Sequence, residues 1–276
     1  MMVLAVGAFA LMDAALKLLT PHYSALQIAA LRGYASLPVV LISALVMGTR
    51  ARLFKVRWSL HLLRGVLGIC MLAGFAYGLR TLPLSEAYSI FFVAPLLITA
   101  LAAPILGEKV GANRWIAIVV GLIGVLVILR PSGAGMLSWA GLAVLLSALG
   151  YAVGAITARV LGRTDSSVSM VFWLMVSMAL GGTLLAGSDW KPVQWDHAYI
   201  LLAIAVFGSL GQFAVTAAFK RGQASLIAPF EYTALAWGLG LDWLLWQALP
   251  DAVVLLGAAI VVASGCYLVV SERRSA

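Results

Sequence analysis

Residues 80–108, RTLPLSEAYSIFFVAPLLITALAAPILGE, lie without a gap on residues 220–248, KRGQASLIAPFEYTALAWGLGLDWLLWQA, when the chain is shifted by 140 positions. A basic residue opens each segment (Arg80, Lys220) and Ser85 falls on Ser225. Each long apolar run closes at a polar turn, Gly107-Glu108-Lys109 in the first and Leu249-Pro250-Asp251 in the second. A further apolar stretch follows in both, carrying Gly121 and Gly124, then Ser264 and Gly265. Self-similarity at a fixed offset marks an internal repeat.

What repeats follows from composition. The 276 residues are 63% hydrophobic and 10% charged, with a mean hydropathy of +1.06, far outside soluble usage. A hydrocarbon core about 30 Å thick takes about 20 apolar residues per helix, so ten spans with short turns are expected to use nearly the whole length and leave no soluble domain. Apolar runs predict helices over Met2–Leu19, Ala25–Met47, His61–Leu79, Ser85–Leu106, Trp115–Leu129, Leu137–Val160, Val168–Ala186, Ala198–Phe219, Ser225–Gln247 and Ala252–Val270. Unpaired amides are costly in lipid, so the architecture is helical, and no strand-like alternation suggests a barrel. The run Met2–Met12 has no basic region before it and leads through Asp13 and Lys17 into more helix, which reads as a first span rather than a signal peptide.

With the amino terminus inside, the inner loops and tail carry Arg50, Arg52, Lys55, Arg57, Lys109, Arg114, Arg159, Arg163, Lys220, Arg221, Arg273 and Arg274, and the outer side carries Lys17, Arg80, Arg130 and Lys191. This asymmetry predicts cytoplasmic termini. The halves, residues 1–131 and 135–271, hold five helices each. An odd number inserts the second half upside down, as in carriers that work by alternating access.

The formal charge of +8 does not imply nucleic acid, because spans interrupt the basic residues. Cys70 and Cys266 fall inside spans without metal-ligand spacing and read as small buried apolar residues. No metal site, cofactor or obligate protein partner is implied. The chain has no HExxH, no GxSxG and no nucleotide-binding glycine loop, and His22, His61 and His197 are far apart at helix ends, so an enzyme is not expected. A channel is disfavoured for want of a repeated filter motif, and an ATP-driven pump for want of a nucleotide domain.

Leu82-Pro83-Leu84-Ser85-Glu86-Ala87, Ala94-Pro95 and Leu106-Gly107-Glu108-Lys109, followed by a helix ending in Leu129-Arg130-Pro131, resemble the EamA domain of the drug/metabolite transporter superfamily. Ala228-Pro229-Phe230-Glu231-Tyr232-Thr233 and Ala263-Ser264-Gly265 resemble its carboxyl-terminal repeat, with Gln247-Ala248 in place of the usual Gly-Glu. The resemblance covers essentially the whole chain. It implies an all-α membrane protein of ten transmembrane helices, two inverted five-helix repeats around a central cavity, in the bacterial inner membrane. It leaves the cargo open among amino acids, other metabolites, vitamins and S-adenosylmethionine.

Ionisable residues within spans are expensive and mark pathways or pairs. Asp13 and Lys17 are spaced i, i+4 on the first helix, and Arg32 lies about 10 Å below the outer end of the second. The three read either as a helix clamp or as a cavity-facing group that binds a carboxylate or gates the outer mouth. Arg64 is expected to snorkel to the cytoplasmic interface. Glu231 sits between Pro229 and Tyr232 inside the ninth run, where proline frees a carbonyl and an acid suits an ammonium or proton; alternatively it bonds a neighbouring helix. Asp242 reads as an interfacial anchor beside Trp243 and Trp246. Gln212 and Thr216, one turn apart on the eighth helix, suit a polar amide or carboxylate.

Phe75, Tyr77, Tyr88, Phe91, Phe213, Tyr232 and Trp237 fall on the third, fourth, eighth and ninth helices, which line the cavity in the family resembled. Packing is the ordinary role of each. Taken together, the expectation is a lipid-embedded carrier of a small molecule, an exporter of neutral or aromatic amino acids. The alternative is uptake of a nucleoside-like or vitamin metabolite such as S-adenosylmethionine or riboflavin.

Overall fold

Serine hydroxyls set where several helices begin. Ser24, Ser138 and Ser166 accept from the amides of Gln27, Gly141 and Ser169, which satisfies donors a helix start leaves free. The computed structural model describes residues 1–48, 53–54, 56–82, 87, 90–129, 138–234, 237 and 252–275. Among these it holds ten α-helices and no strand: α1 (Met2–Leu19), α2 (Ala25–Val46), α3 (Trp58–Thr81), α4 (Ala94–Leu106), α5 (Ala112–Leu129), α6 (Trp139–Leu161), α7 (Ser167–Ala186), α8 (Ala198–Arg221), α9 (Ala224–Ile227) and α10 (Ala252–Ser275). Helices α1, α2, α3, α6, α7 and α8 are long and apolar enough to cross a membrane.

Their outward faces are as apolar as their inward ones. Leu4, Leu62, Leu146, Leu184 and Leu202 are more than half exposed, the all-round hydrophobicity of helices solvated by lipid. Inside, one cluster joins Met12, Leu16, Ile28, Leu174, Met175, Met178 and Ile204. A second joins Ala5, Ile98, Ala152, Ala155, Ile156 and Phe219. Small residues bring backbones together, as at Gly33, where a Cβ would stand 2.4 Å from the Ala179 amide nitrogen.

Contacts between helix ends define two ends of the bundle. At one, His61 meets Asp165, Lys220 donates to the Asp165 carbonyl, Arg159 to the Lys220 carbonyl, Arg221 to Met1 and Arg114 to Ser225. At the other, Tyr23 meets His197 and Gln27 exchanges two hydrogen bonds with the Lys191 backbone. Arg80 donates to the Tyr23 carbonyl. We call these the basic end and the far end. Helices α2 and α8 both start at the far end and therefore run parallel.

Two sequence expectations change. The fourth and ninth runs are not uninterrupted helices. A turn at Phe92 and Val93 precedes α4, and α9 gives way after one turn to a 3-10 stretch, Ala228–Thr233. Pro95 and Pro229 stand at the start of these two segments, because proline fits a first turn and breaks an interior. Cys70 and Cys266 are exposed on helix faces rather than buried.

Candidate functional site

Arg32 on α2 is 3% exposed. Its Nη2 donates to Gln212 Oε1 of α8 at 3.2 Å, and its guanidinium lies 5.6 Å from the Phe9 ring centroid. Asp13 on α1 acts on the same charge through space. The amide of Gln212 is oriented by this donor, so its Nε2 turns to Thr216 Oγ1, a long contact of 3.5 Å. Thr216 also accepts from Arg64 Nη2 at 3.2 Å. A buried polar line thus runs from α2 through one face of α8 to α3.

Arg64 does not snorkel. It is 6% exposed, and its second Nη donates to the Met170 carbonyl of α7 at 3.0 Å. Two acceptors in the interior satisfy the fork where the interface would have offered water. Its charge also acts on Tyr151 of α6. Tyr151 donates to Glu231 Oε1 at 3.0 Å, and Glu231 is 7% exposed on the 3-10 stretch after Pro229. Phe91 lies against Tyr151 at 5.6 Å and Phe75 against Phe91 at 5.3 Å, both between ring centroids. A row of aromatic rings therefore runs from the tyrosine that holds the acid.

Of the residues picked from sequence, Arg32, Gln212, Thr216 and Glu231 lie in or beside this line, with Asp13 next to it and Phe75 and Phe91 in the row of rings. Phe213 packs into the apolar clusters of α1, α2 and α7. Tyr232 is buried against Phe92 and Gly121, its hydroxyl 3.4 Å from the Ile118 carbonyl. Trp237 covers Gly7. Tyr77 is half exposed and Lys17 exposed. Tyr88 and Asp242 lie outside the described residues. Sequence reasoning weighed Tyr151 only as one aromatic among others, outside the helices it ranked highest, and misdirected Arg64. The available signal was that each is a polar side chain about one to three turns inside an apolar span.

Sequence reasoning passed over a cluster at the basic end. Asp165, in the turn between α6 and α7, takes Thr164 Oγ1 at 2.6 Å, His61 Nε2 at 2.7 Å and the Arg57 amide at 3.4 Å. Burial alone would raise its carboxyl, but these hydrogen bonds and the His61 ring outweigh it and hold the group below its ordinary value. Nearby, Glu108 accepts from the amides of Ala224 and Ser225 and from the Ser225 hydroxyl.

Chemically, the line offers two arginines that stay charged, one carboxyl on a tyrosine hydroxyl, and neutral donors between them. That set can hold a solute with both an anionic and a cationic group while the row of rings meets its apolar part.

The chain is similar over residues 1–130 and 138–271 to the EamA-like transporter family. It is 29% identical to a pseudopaline exporter of Pseudomonas aeruginosa, over 94% of this chain and 91% of the relative. It is 30% identical to a riboflavin transporter of Vibrio cholerae, over 89% and 83% of the two chains. An S-adenosylmethionine uptake transporter of Rickettsia conorii is 27% identical, over 86% and 80%. A crystal structure at 19% identity superposes with a TM-score of 0.82, covering 98% of this chain and 95% of its own. It shares the fold.

Proposed function

Because this chain belongs to the EamA-like transporter family, as an integral membrane transporter and not an enzyme, we propose that it exports a small amino-carboxylate metabolite, a neutral or aromatic amino acid above all. The observation that carries this reading is the buried line Arg32–Gln212–Thr216–Arg64 with Tyr151–Glu231 beside it. A zwitterion requires a cation for its carboxylate and an acid for its ammonium, and this set of residues supplies both, with Phe91 against Tyr151 and Phe75 against Phe91. Buried charges of this kind persist where a partner or cargo meets them.

The mechanism in this reading is alternating access between two inverted five-helix halves. Helix pairing supports it. The closest pairs are α2 with α7, α5 with α10, α3 with α6 and α1 with α8. A two-fold relation of α1–α5 to α6–α10 leaves the first two pairs unchanged and exchanges the other two. Counterparts also run oppositely: α1 leaves the basic end, whereas α6 arrives there. The basic end holds Arg57, Arg114, Arg159, Lys220 and Arg221, which supports placing it, with both termini, on the cytoplasmic side of the inner membrane.

Uptake of S-adenosylmethionine or riboflavin is the second reading, and the names of two of the three relatives above favour those compounds. S-adenosylmethionine would use the same amino-carboxylate groups; riboflavin would not. The test is transport into liposomes reconstituted with the purified protein, comparing radiolabelled amino acids with those two compounds, with and without a pH gradient. Saturable flux of neutral or aromatic amino acids, above that of protein-free vesicles, is the expected result. Flux of riboflavin alone would overturn the reading.

A further inference from the structure

We propose that Arg32, Ser36 and Ser209 form the seat of the cargo's carboxylate, an assignment that rests on the amino-carboxylate reading above. Among the described residues, four buried side-chain groups lack a hydrogen-bond partner: Arg32 Nε, Ser36 Oγ, Ser209 Oγ, and Thr99 Oγ1 on α4. The first three lie on α2 and α8, which pack against each other. Ser36 follows Arg32 by one turn on α2, and its Oγ stands 3.8 Å from where a Cβ on Gly208 would lie. Ser209 is the next residue of α8 and precedes Gln212, the partner of Arg32, by three. In these parallel helices Ser36 and Ser209 are each eleven residues from a start at the far end, or about 16 Å deep at 1.5 Å per residue.

Hydroxyls in helices often find the carbonyl one turn back, and several here do so. Ser43, Ser147, Thr157, Ser177 and Thr183 each donate to the carbonyl four residues earlier at 2.7 to 2.8 Å. Ser36 and Ser209 do not, although they are 0% and 1% exposed. Two hydroxyls and a guanidinium N–H left open in one interface are three donors for an acceptor-only group, and a carboxylate, with two oxygens, is such a group. Asp13 offsets part of the Arg32 charge, which keeps the seat from holding an anion too tightly to release it.

The test uses the full chain in lipid nanodiscs in chloride-free buffer. Wild type and the Ser36→Ala/Ser209→Ala variant are compared by thermal unfolding and by calorimetric titration with L-phenylalanine, 3-phenylpropionate, 2-phenylethylamine and S-adenosylmethionine. Removing two unpartnered hydroxyls should leave the free protein as stable as wild type or more so. The same variant should bind L-phenylalanine and 3-phenylpropionate about tenfold or more weakly, each lost charge-assisted bond being worth roughly that factor, with 2-phenylethylamine unchanged. A variant that binds L-phenylalanine like wild type overturns the seat and leaves the amino-acid reading standing. If S-adenosylmethionine alone binds and loses tenfold, the seat holds and the choice of cargo is overturned. Wild type that binds none of the three carboxylates overturns both. Chloride stabilising wild type through the same two serines would make this an inorganic-anion site, which also overturns the proposal.

Discussion

Tyr151 donates a 3.0 Å hydrogen bond to Glu231 and so ties mid-α6 to the 3-10 stretch that follows Pro229. Tyr151→Phe deletes the donor and leaves a buried carboxyl without it, a loss of about 1–3 kcal/mol in unfolding free energy. Glu231→Gln is nearly isosteric and should keep the fold, yet lower flux at least several-fold or remove its response to an imposed pH gradient. Liposome flux, read beside the melting temperature, separates the two. Glu231→Gln protein with wild-type rate, affinity and pH dependence would remove Glu231 from the transport path.

Thr216 joins α3 to the Arg32–Gln212 pair through a single oxygen. Thr216→Val keeps the shape and leaves one Arg64 N–H without its acceptor in the interior, so destabilisation of about 1–3 kcal/mol is expected. Thr216→Ser should restore most of it. Arg64→Lys should not match wild type, since one ammonium cannot reproduce a fork that reaches both the Met170 carbonyl and Thr216. Equal melting of Thr216→Val and wild type would show that the hydroxyl bridges nothing of consequence.

The helices were legible because lipid imposes one length and one hydrogen-bonding solution on every span. The starts of α1, α2 and α8 fall where the apolar runs begin, and that of α7 one residue earlier. Direction within the bundle was not legible. A long side chain such as Arg64 reaches either the interface or the interior, and the choice was made by Met170 and Thr216, 106 and 152 residues away. His61 and Asp165 meet across 104 residues for the same reason. The acid at Glu231 was visible as a charge after a proline in an apolar run. Its Tyr151 partner was not, because one tyrosine among many aromatics carries no mark of where its hydroxyl points.

Gly33 sets the distance between α2 and α7. A Cβ there would stand 2.4 Å from the Ala179 nitrogen and 2.7 Å from the Met175 carbonyl oxygen. Both are backbone atoms that no rotamer change can move. Gly33→Ala should therefore cost about 1–3 kcal/mol or more through overpacking. Gly154→Ala, where nothing lies within 4 Å, should be neutral or gain up to about 1 kcal/mol from helix propensity. Thermal unfolding of the two variants in the same nanodiscs compares them directly. Equal melting temperatures would show that the helices separate freely at Gly33.

Asp165 gathers three segments at the basic end: the start of α3 through His61 and Arg57, the turn before α7 through Thr164, and α8 through the Lys220 bond to its carbonyl. Its carboxyl is held below the ordinary value of 3.8, because the hydrogen bonds from Thr164, His61 and the Arg57 amide outweigh the effect of burial. A carboxyl depressed in the folded state binds fewer protons there than in the unfolded chain. Its contribution is therefore complete above the ordinary value and is lost as pH falls below it. Asp165→Asn removes that contribution at every pH. The gap in melting temperature between wild type and Asp165→Asn should close as the solution is acidified below the ordinary carboxylate range. The Lys220 bond survives in the variant because it uses the main-chain carbonyl, so the gap reports the carboxyl together with the His61 ring it holds. A gap that failed to close below the carboxylate range would mean that the carboxyl is not stabilised where it sits.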